Sequence, residues 1–171
     1  MADIVRRVTQ RLWLLRHGEA VPHDAAPDAQ RVLTPRGEEQ SRLAGRALAR
    51  LGTRVDVCYA SPKVRAWDTA RLALEALDIE PLEERALAGD FDGGDARELL
   101  LGHDADARVL IVGHEPDFSQ VVYDLTGARV EFKKGGLACV RMGPPPELTS
   151  LLRPHQLEVL GGGAPREPRG A

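Results

Sequence analysis

Three stretches of apolar residues punctuate an otherwise mixed chain, and each breaks off at a polar tip. Leu12-Trp13-Leu14-Leu15 ends in Arg16-His17-Gly18-Glu19, and Val109-Leu110-Ile111-Val112 ends in Gly113-His114. The shorter, β-rich run Val55–Tyr59 ends at Ser61-Pro62, with Arg65 four residues further on. A run that is apolar at successive positions, rather than at alternate ones, predicts a strand covered on both faces. Between these runs the apolar residues recur at helical spacing. Leu43, Ala44, Ala47, Leu48 and Leu51 follow Thr34-Pro35, an N-cap with proline in the first helical position, and stop at Gly52. Trp67, Ala70, Leu74 and Leu77 follow Ser61-Pro62, which has the same form. Phe118, Val121, Val122 and Leu125 follow Pro116 and stop at Gly127.

The remaining segments read less sharply. Val21–Val32, rich in Pro, Asp and Ala, predicts a loop beside the first strand's tip. Ile79–Arg85 reads as a short edge strand, Gly89–Gly94 as a flexible acidic loop, and Ala96–Leu101 as a short helix with His103 just beyond it. Leu137–Met142 reads as a strand after the Gly135-Gly136 turn. Pro144-Pro145-Pro146 separates it from Leu148–Leu152, an antiparallel edge. Strands alternating with helices predict a three-layer α/β/α domain whose sheet is mostly parallel with one antiparallel edge strand. Residues 1–160 are expected to form this single domain. The Gly-, Pro- and Arg-rich residues 161–171 are expected to be a disordered tail.

Composition narrows the classes. The 171 residues are 43% hydrophobic and 29% charged, with a formal net charge of −3, the profile of an ordinary globular protein. That charge argues against a nucleic-acid binder working through a general basic surface. No apolar run approaches the ~20 residues of a membrane helix, and Met1–Gln10 has no signal-peptide core, so cytoplasm is the expected compartment. Cys58 and Cys139 each lie inside an apolar strand and read as reduced core residues, neither a disulfide nor a metal pair.

The candidate chemistry lies at the strand tips. In a parallel sheet the carboxyl ends share one edge, where ligands bind. Arg16, His17, Arg65 and His114 are therefore expected in one crevice. Such a cationic cluster is unfavourable unless an anion sits in it. Arg65 lies in the first turn of its helix, where the macrodipole opposes a positive charge by roughly 0.3–1 kcal/mol. A bound dianion reverses that sign, and two forked guanidinium groups suit phosphate. A neutral imidazole is a competent nucleophile toward phosphorus, and neighbouring cations keep it neutral. His17 is assigned as that nucleophile, and His114 as a donor to the transferring phosphoryl oxygens. His23, His103 and His155 have no such partners and stay outside the site.

The segments that carry this constellation resemble the histidine phosphatase superfamily, with its phosphoglycerate-mutase-like fold. Arg16-His17-Gly18-Glu19 is similar to the family's RHG signature, and Leu33-Thr34-Pro35-Arg36-Gly37 to its LTxxG helix start. Ser61–Ala70 resembles its SPxxRAxxTA segment, and Val112–Pro116 its second-histidine motif, so the likeness runs from about Leu12 to Leu125. The resemblance implies that His17 is phosphorylated while Arg16, Arg65 and His114 hold the phosphoryl group, with no metal and no cofactor. The compact chain, the Arg31-Val32-Leu33-Thr34 segment and the absence of a long insertion resemble the small SixA-like phosphohistidine phosphatases. Mutases usually carry an Asn soon after the signature, where Val21-Pro22-His23 stands here. Arg31 adds a candidate cation at the rim of the site.

The expected substrate is a phosphorylated protein bearing phosphohistidine. The alternative is a small phosphorylated metabolite, hydrolysed as a phosphomonoester, and a third reading is a phosphate-binding module without turnover. The general acid separates the first two. Leu82-Glu83-Glu84-Arg85 followed by Gly89-Asp90-Phe91-Asp92-Gly93 is similar to the superfamily's LxER…GDWEG stretch, spaced one residue differently. Glu84 is thereby the candidate proton donor, with Asp90 as its rival. An imidazole leaving group, with a pKa near ~6.5, needs little protonation, whereas an alkoxide needs a placed acid. The sequence leaves the oligomeric state open.

Overall fold

The computed structural model describes residues 9–163. Among the described residues six strands and five α-helices follow one another, alternating except where two strands are consecutive near the end. Strands β1 (Arg11–Arg16), β2 (Val57–Ala60), β3 (Pro81–Glu83), β4 (Arg108–Gly113), β5 (Leu137–Arg141) and β6 (Glu147–Leu152) form one sheet in the order β3-β2-β4-β1-β5-β6. The first four are mutually parallel. β5 runs antiparallel to β1, and β6 antiparallel to β5. The inverted strand is therefore β5, one place in from the edge, and the edge strand β6 is antiparallel only to its neighbour.

The uninterrupted apolar runs fold as strands because both faces of the sheet are covered. Helices α1 (Pro35–Arg50), α2 (Val64–Leu74) and α5 (Pro154–Leu160) pack on one face, and α3 (Gly93–Leu101) and α4 (Asp117–Thr126) on the other. Side chains alternate between the two cores with period two. Trp13 and Leu15 face α1 and α2, while Leu12 and Leu14 face α4. Leu110 and Val112 repeat the first pattern on β4, and Val109 and Ile111 the second. Leu12, Leu14 and Leu15 are fully buried, each contributing about 1.5–3 kcal/mol of burial. A one-residue slip of β1 would exchange its two faces.

The helix signals stand with adjustments. Thr34 Oγ accepts from Gly37 N at 3.1 Å with Pro35 in the first turn, as expected for α1. The helix after Ser61-Pro62 begins later, at Val64, and its N-cap Lys63 makes no side-chain capping bond. Ser61, two residues before that cap, accepts from Lys63 N at 3.3 Å and also meets a residue of the site. The loop expected over Gly89–Gly94 is partly helical. Asp92 caps α3 through Gly94 N at 2.7 Å and Asp95 N at 3.1 Å, so its carboxylate orders the segment.

α5 had no clear signal in the sequence. Gly161–Gly163, the first residues of the tail expected to be disordered, close it in a hydrogen-bonded turn, and the remainder of that tail, residues 164–171, lies outside the described residues. Cys58 and Cys139 are free and buried, and burial pushes the Cys58 thiol up to about 12. Among the described residues no helix is long and apolar enough to cross a membrane.

Candidate active site

Register fixes which strand tips meet. Arg16 pairs with Gly113 across β1 and β4, and Ala60 pairs with Val112 across β2 and β4. The ladder continues past both ends, with His17 N donating to Gly113 O and Ser61 N to Val112 O, each at 3.0 Å. His17, Ser61 and His114 thus occupy adjacent positions on one edge. The imidazoles of His17 and His114 stand 5.3 Å apart by ring centroid, tilted by 55°. From the other side, Gly135 N donates to His17 O at 2.9 Å, so the Lys133–Gly136 turn closes against the β1 tip.

Both nitrogens of His17 have defined partners. Nδ1 donates to Gly18 O at 2.7 Å, since a carbonyl can only accept. Nε2 accepts from Arg65 Nε at 3.3 Å. The ring is therefore the neutral Nδ1–H tautomer with its lone pair on Nε2. Burial, opposed by the Gly18 bond and reinforced by His114, Arg65 and Arg16, pushes its pKa down to about 3. His114 is likewise pushed down to about 3, first by burial and then by Arg65 and Lys63. Its Nε2 lies 2.8 Å from Ser61 Oγ, while Nδ1 is buried without a hydrogen-bond partner among the described residues. Ser61 Oγ already accepts from Lys63 N at 3.3 Å. The Ser61 hydroxyl can donate to His114 Nε2, and in that tautomer the ring proton sits on the orphaned Nδ1.

The two guanidinium groups enter from opposite sides. Arg16 Nη1 donates to Phe132 O at 2.6 Å, and its Nε is buried without a partner among the described residues. Arg65, 5% exposed, reaches Asp28 through Nη1 to the backbone oxygen at 2.6 Å and Nη2 to the carboxylate. Thr69, one turn along α2, accepts from Gly18 N at 3.0 Å and donates to Arg65 O at 2.7 Å, so it ties the loop after β1 to α2. All four expected residues are brought together, and two buried nitrogens among them, Arg16 Nε and His114 Nδ1, have no hydrogen-bond partner among the described residues. Among the described residues no group of three or more His, Cys, Asp or Glu side chains is placed to hold a metal ion.

The supporting residues were less visible. A Cβ on Gly18 would meet Gly37 O at 2.6 Å, and a Cβ on Gly37 would lie 1.9 Å from Glu19 O. The two glycines serve the contact between the β1 tip and the start of α1. Glu19 belongs to the same contact, accepting from Thr34 Oγ at 2.9 Å. Ser61 reads from the sequence as a helix cap, and Lys63, Thr69 and Asp28 have no role there in the site. Thr69, four residues after Arg65 on the same buried face of α2, is the one signal available.

Arg31 is buried, with its Nε 3.6 Å from Asp28 Oδ1. Glu84 N donates to Ala60 O at 2.9 Å, which sets Glu84 beside Ser61 at the site end of β3. Its carboxylate caps the following turn through Ala86 N at 3.0 Å. Asp90 adopts φ of +62° and lies by Asp117, whose carboxyl is held up by burial and by Asp90. His103 stays outside, paired with Tyr59 OH at 3.0 Å.

Comparison with known proteins agrees with this architecture. Residues 12–108 match the model of the histidine phosphatase superfamily (branch 1), and the chain belongs to that family. An uncharacterised protein of Picosynechococcus is 33% identical over 152 residues, covering 77% of this chain and 85% of its own. A 2,3-bisphosphoglycerate-dependent phosphoglycerate mutase of Thermobifida fusca is 46% identical over 67 residues, but these make up 37% of this chain and 27% of the mutase. The protein histidine phosphatase SixA, solved in complex with tungstate, superposes with a TM-score of 0.76 at 26% identity, over 84% of this chain and 97% of that one. The fold is thus the phosphoglycerate-mutase-like one, with SixA-like neighbours.

Proposed function

We propose that this protein is a phosphohistidine phosphatase of the SixA-like type, working through a covalent phosphohistidine on His17. The observation that carries the reading is the paired geometry of His17 and His114. At 5.3 Å between ring centroids, the two imidazoles are near enough to share one tetrahedral phosphoryl group at their edges. The lone pair of His17 Nε2 attacks phosphorus while the bond to the leaving nitrogen breaks. The released imidazole takes its proton from solvent. Water then attacks the phosphoryl group on His17, releasing inorganic phosphate and restoring the free ring. Arg16 Nε and a protonated His114 Nδ1, the two partnerless buried nitrogens among the four site residues, are assigned to the phosphoryl oxygens with Arg65, where they offset charge that grows in the transition state.

A substrate protein suits the reading because the site lies at strand tips with no long insertion over them. A phosphohistidine also asks little of an acid, and the Glu84 carboxylate already caps its own turn. The test is rapid-quench measurement of phosphoenzyme with a phosphorylated histidine protein. A burst is expected in the wild type and none in His17→Ala. A burst that persists in the variant would overturn the assignment.

A second reading, a phosphomonoesterase with Glu84 as acid, is supported by one observation: the backbone bond from Glu84 N to Ala60 O sets Glu84 beside Ser61 at the carboxyl ends of β2 and β3.

A further inference from the structure

We propose that Asp28 is an internal anion that competes with phosphate for the cations of this site and so sets how readily the product leaves. The inference rests on the phosphatase reading and deepens it. Asp28 lies in the short 3₁₀ turn Asp28–Gln30, at the far end of a loop whose stem is pinned. Val21 N donates to Val32 O at 3.0 Å, and Thr34 N to Glu19 O at 3.0 Å. From that stem the turn leans across to the start of α2, where one carboxylate meets three cations. Lys63 Nζ lies 2.9 Å from Asp28 Oδ2, Arg65 Nη2 3.3 Å from Oδ1, and Arg31 Nε 3.6 Å from Oδ1.

A carboxylate held by Arg65 Nη2 and the Lys63 ammonium occupies cations that a phosphate would also engage. Two of these cations, Arg65 and Arg31, are almost wholly buried, whereas the Asp28 side chain is 48% exposed. The cations are thus fixed and the anion is the exchangeable partner. The contact also holds Arg65 in the pose in which its Nε bonds His17 Nε2, so Asp28 retains the guanidinium against the nucleophile when no substrate is present. Lys63 keeps the Asp28 carboxyl at about 2, so it stays charged at any working pH.

A positioning role alone would predict the opposite effect of mutation, and the geometry distinguishes the two. Arg65 Nη1 is held at 2.6 Å by the backbone oxygen of residue 28, a bond that Asp28→Asn keeps. That substitution removes the charge and spares the geometry.

The experiment is calorimetric titration with inorganic phosphate at low salt, on wild type, Asp28→Asn and Asp28→Ser. Asp24→Asn, on the same loop, serves as a control for net charge. Both Asp28 variants are expected to bind phosphate about tenfold more tightly than wild type, the scale of one contact charge near a protein surface. Asp24→Asn should bind as wild type does. Unchanged or weaker binding in the Asp28 variants would overturn the inference and leave the phosphatase reading standing, as would equal tightening in Asp24→Asn. No phosphate binding by any of the four proteins would overturn both.

Discussion

Arg65 donates from Nε into the lone pair of His17 Nε2, the atom assigned to attack phosphorus. In this resting arrangement the nucleophile is capped by a cation that the reaction needs elsewhere. The approach of a phosphoryl group provides a stronger acceptor for the guanidinium, and its departure from Nε2 frees the lone pair. A lysine could supply the charge but not the fork. Arg65→Lys is therefore expected to lower kcat/KM by about a hundredfold, with thermal stability within a few degrees of wild type. Steady-state kinetics beside a melting curve checks this, and a loss below threefold would contradict it.

Ser61 links His114 to the start of α2. Its hydroxyl accepts from Lys63 N at 3.3 Å and sits 2.8 Å from His114 Nε2. Ser61→Ala leaves that nitrogen buried and unpaired, a cost of about 1–3 kcal/mol. Activity is expected to fall about ten- to a hundredfold, while Ser61→Thr, which keeps the hydroxyl, recovers part of it. The pair of variants compared on one substrate decides the point.

Acid should destabilise the fold through the two histidines. Both have pKa values near 3 in the folded protein, below their ordinary value of 6.5. Between those limits the unfolded chain binds more protons than the native one, so stability rises with pH across this window. Falling pH therefore removes stability, by up to about 1.4 kcal/mol per pH unit for each ring. Melting temperatures between pH 7 and 4.5 are expected to drop more steeply for wild type than for His17→Asn/His114→Asn. Equal slopes would show that neither ring titrates on unfolding.

The contact between the β1 tip and α1 should be intolerant of a single methyl group. A Cβ on Gly37 would meet backbone at 1.9 Å, where neither partner can yield cheaply. Gly37→Ala is expected to cost about 3 kcal/mol, lowering Tm by roughly 6–12 °C. Gly52→Ala, in open space but at φ of +66°, should cost about 1 kcal/mol. The order of the two in a thermal scan is the check.

Glu84→Gln separates the two substrate readings. If the leaving group is an alkoxide, ester hydrolysis should fall at least about a hundredfold while phosphoramidate cleavage changes little. Parallel rates on a phosphomonoester and on phosphoramidate give the answer.

Much of the molecule could be read from residues alone, because strong local rules agreed with the global fold. Leu12–Leu15 and Val109–Val112 are apolar on both faces, and only a covered sheet satisfies that pattern. Thr34-Pro35 and Gly127 mark helix ends through backbone chemistry that needs no partner from afar. The polar tips of those strands pointed to a shared site, since parallel strands must end on one side. What periodicity could not supply were contacts between segments distant in sequence. Ser61 carries the chemistry of a helix cap, and only the fold brings it against His114. Asp28 reads as one acid in a polar loop until the fold sets it among Lys63, Arg65 and Arg31. The sequence by itself determined the layers, the strand tips and the four groups around one crevice. Tertiary structure alone decided the inverted place of β5, the pairing of each polar side chain and the tautomer of His17, because hydrogen-bond partners are chosen by distance in space, which local spacing does not encode.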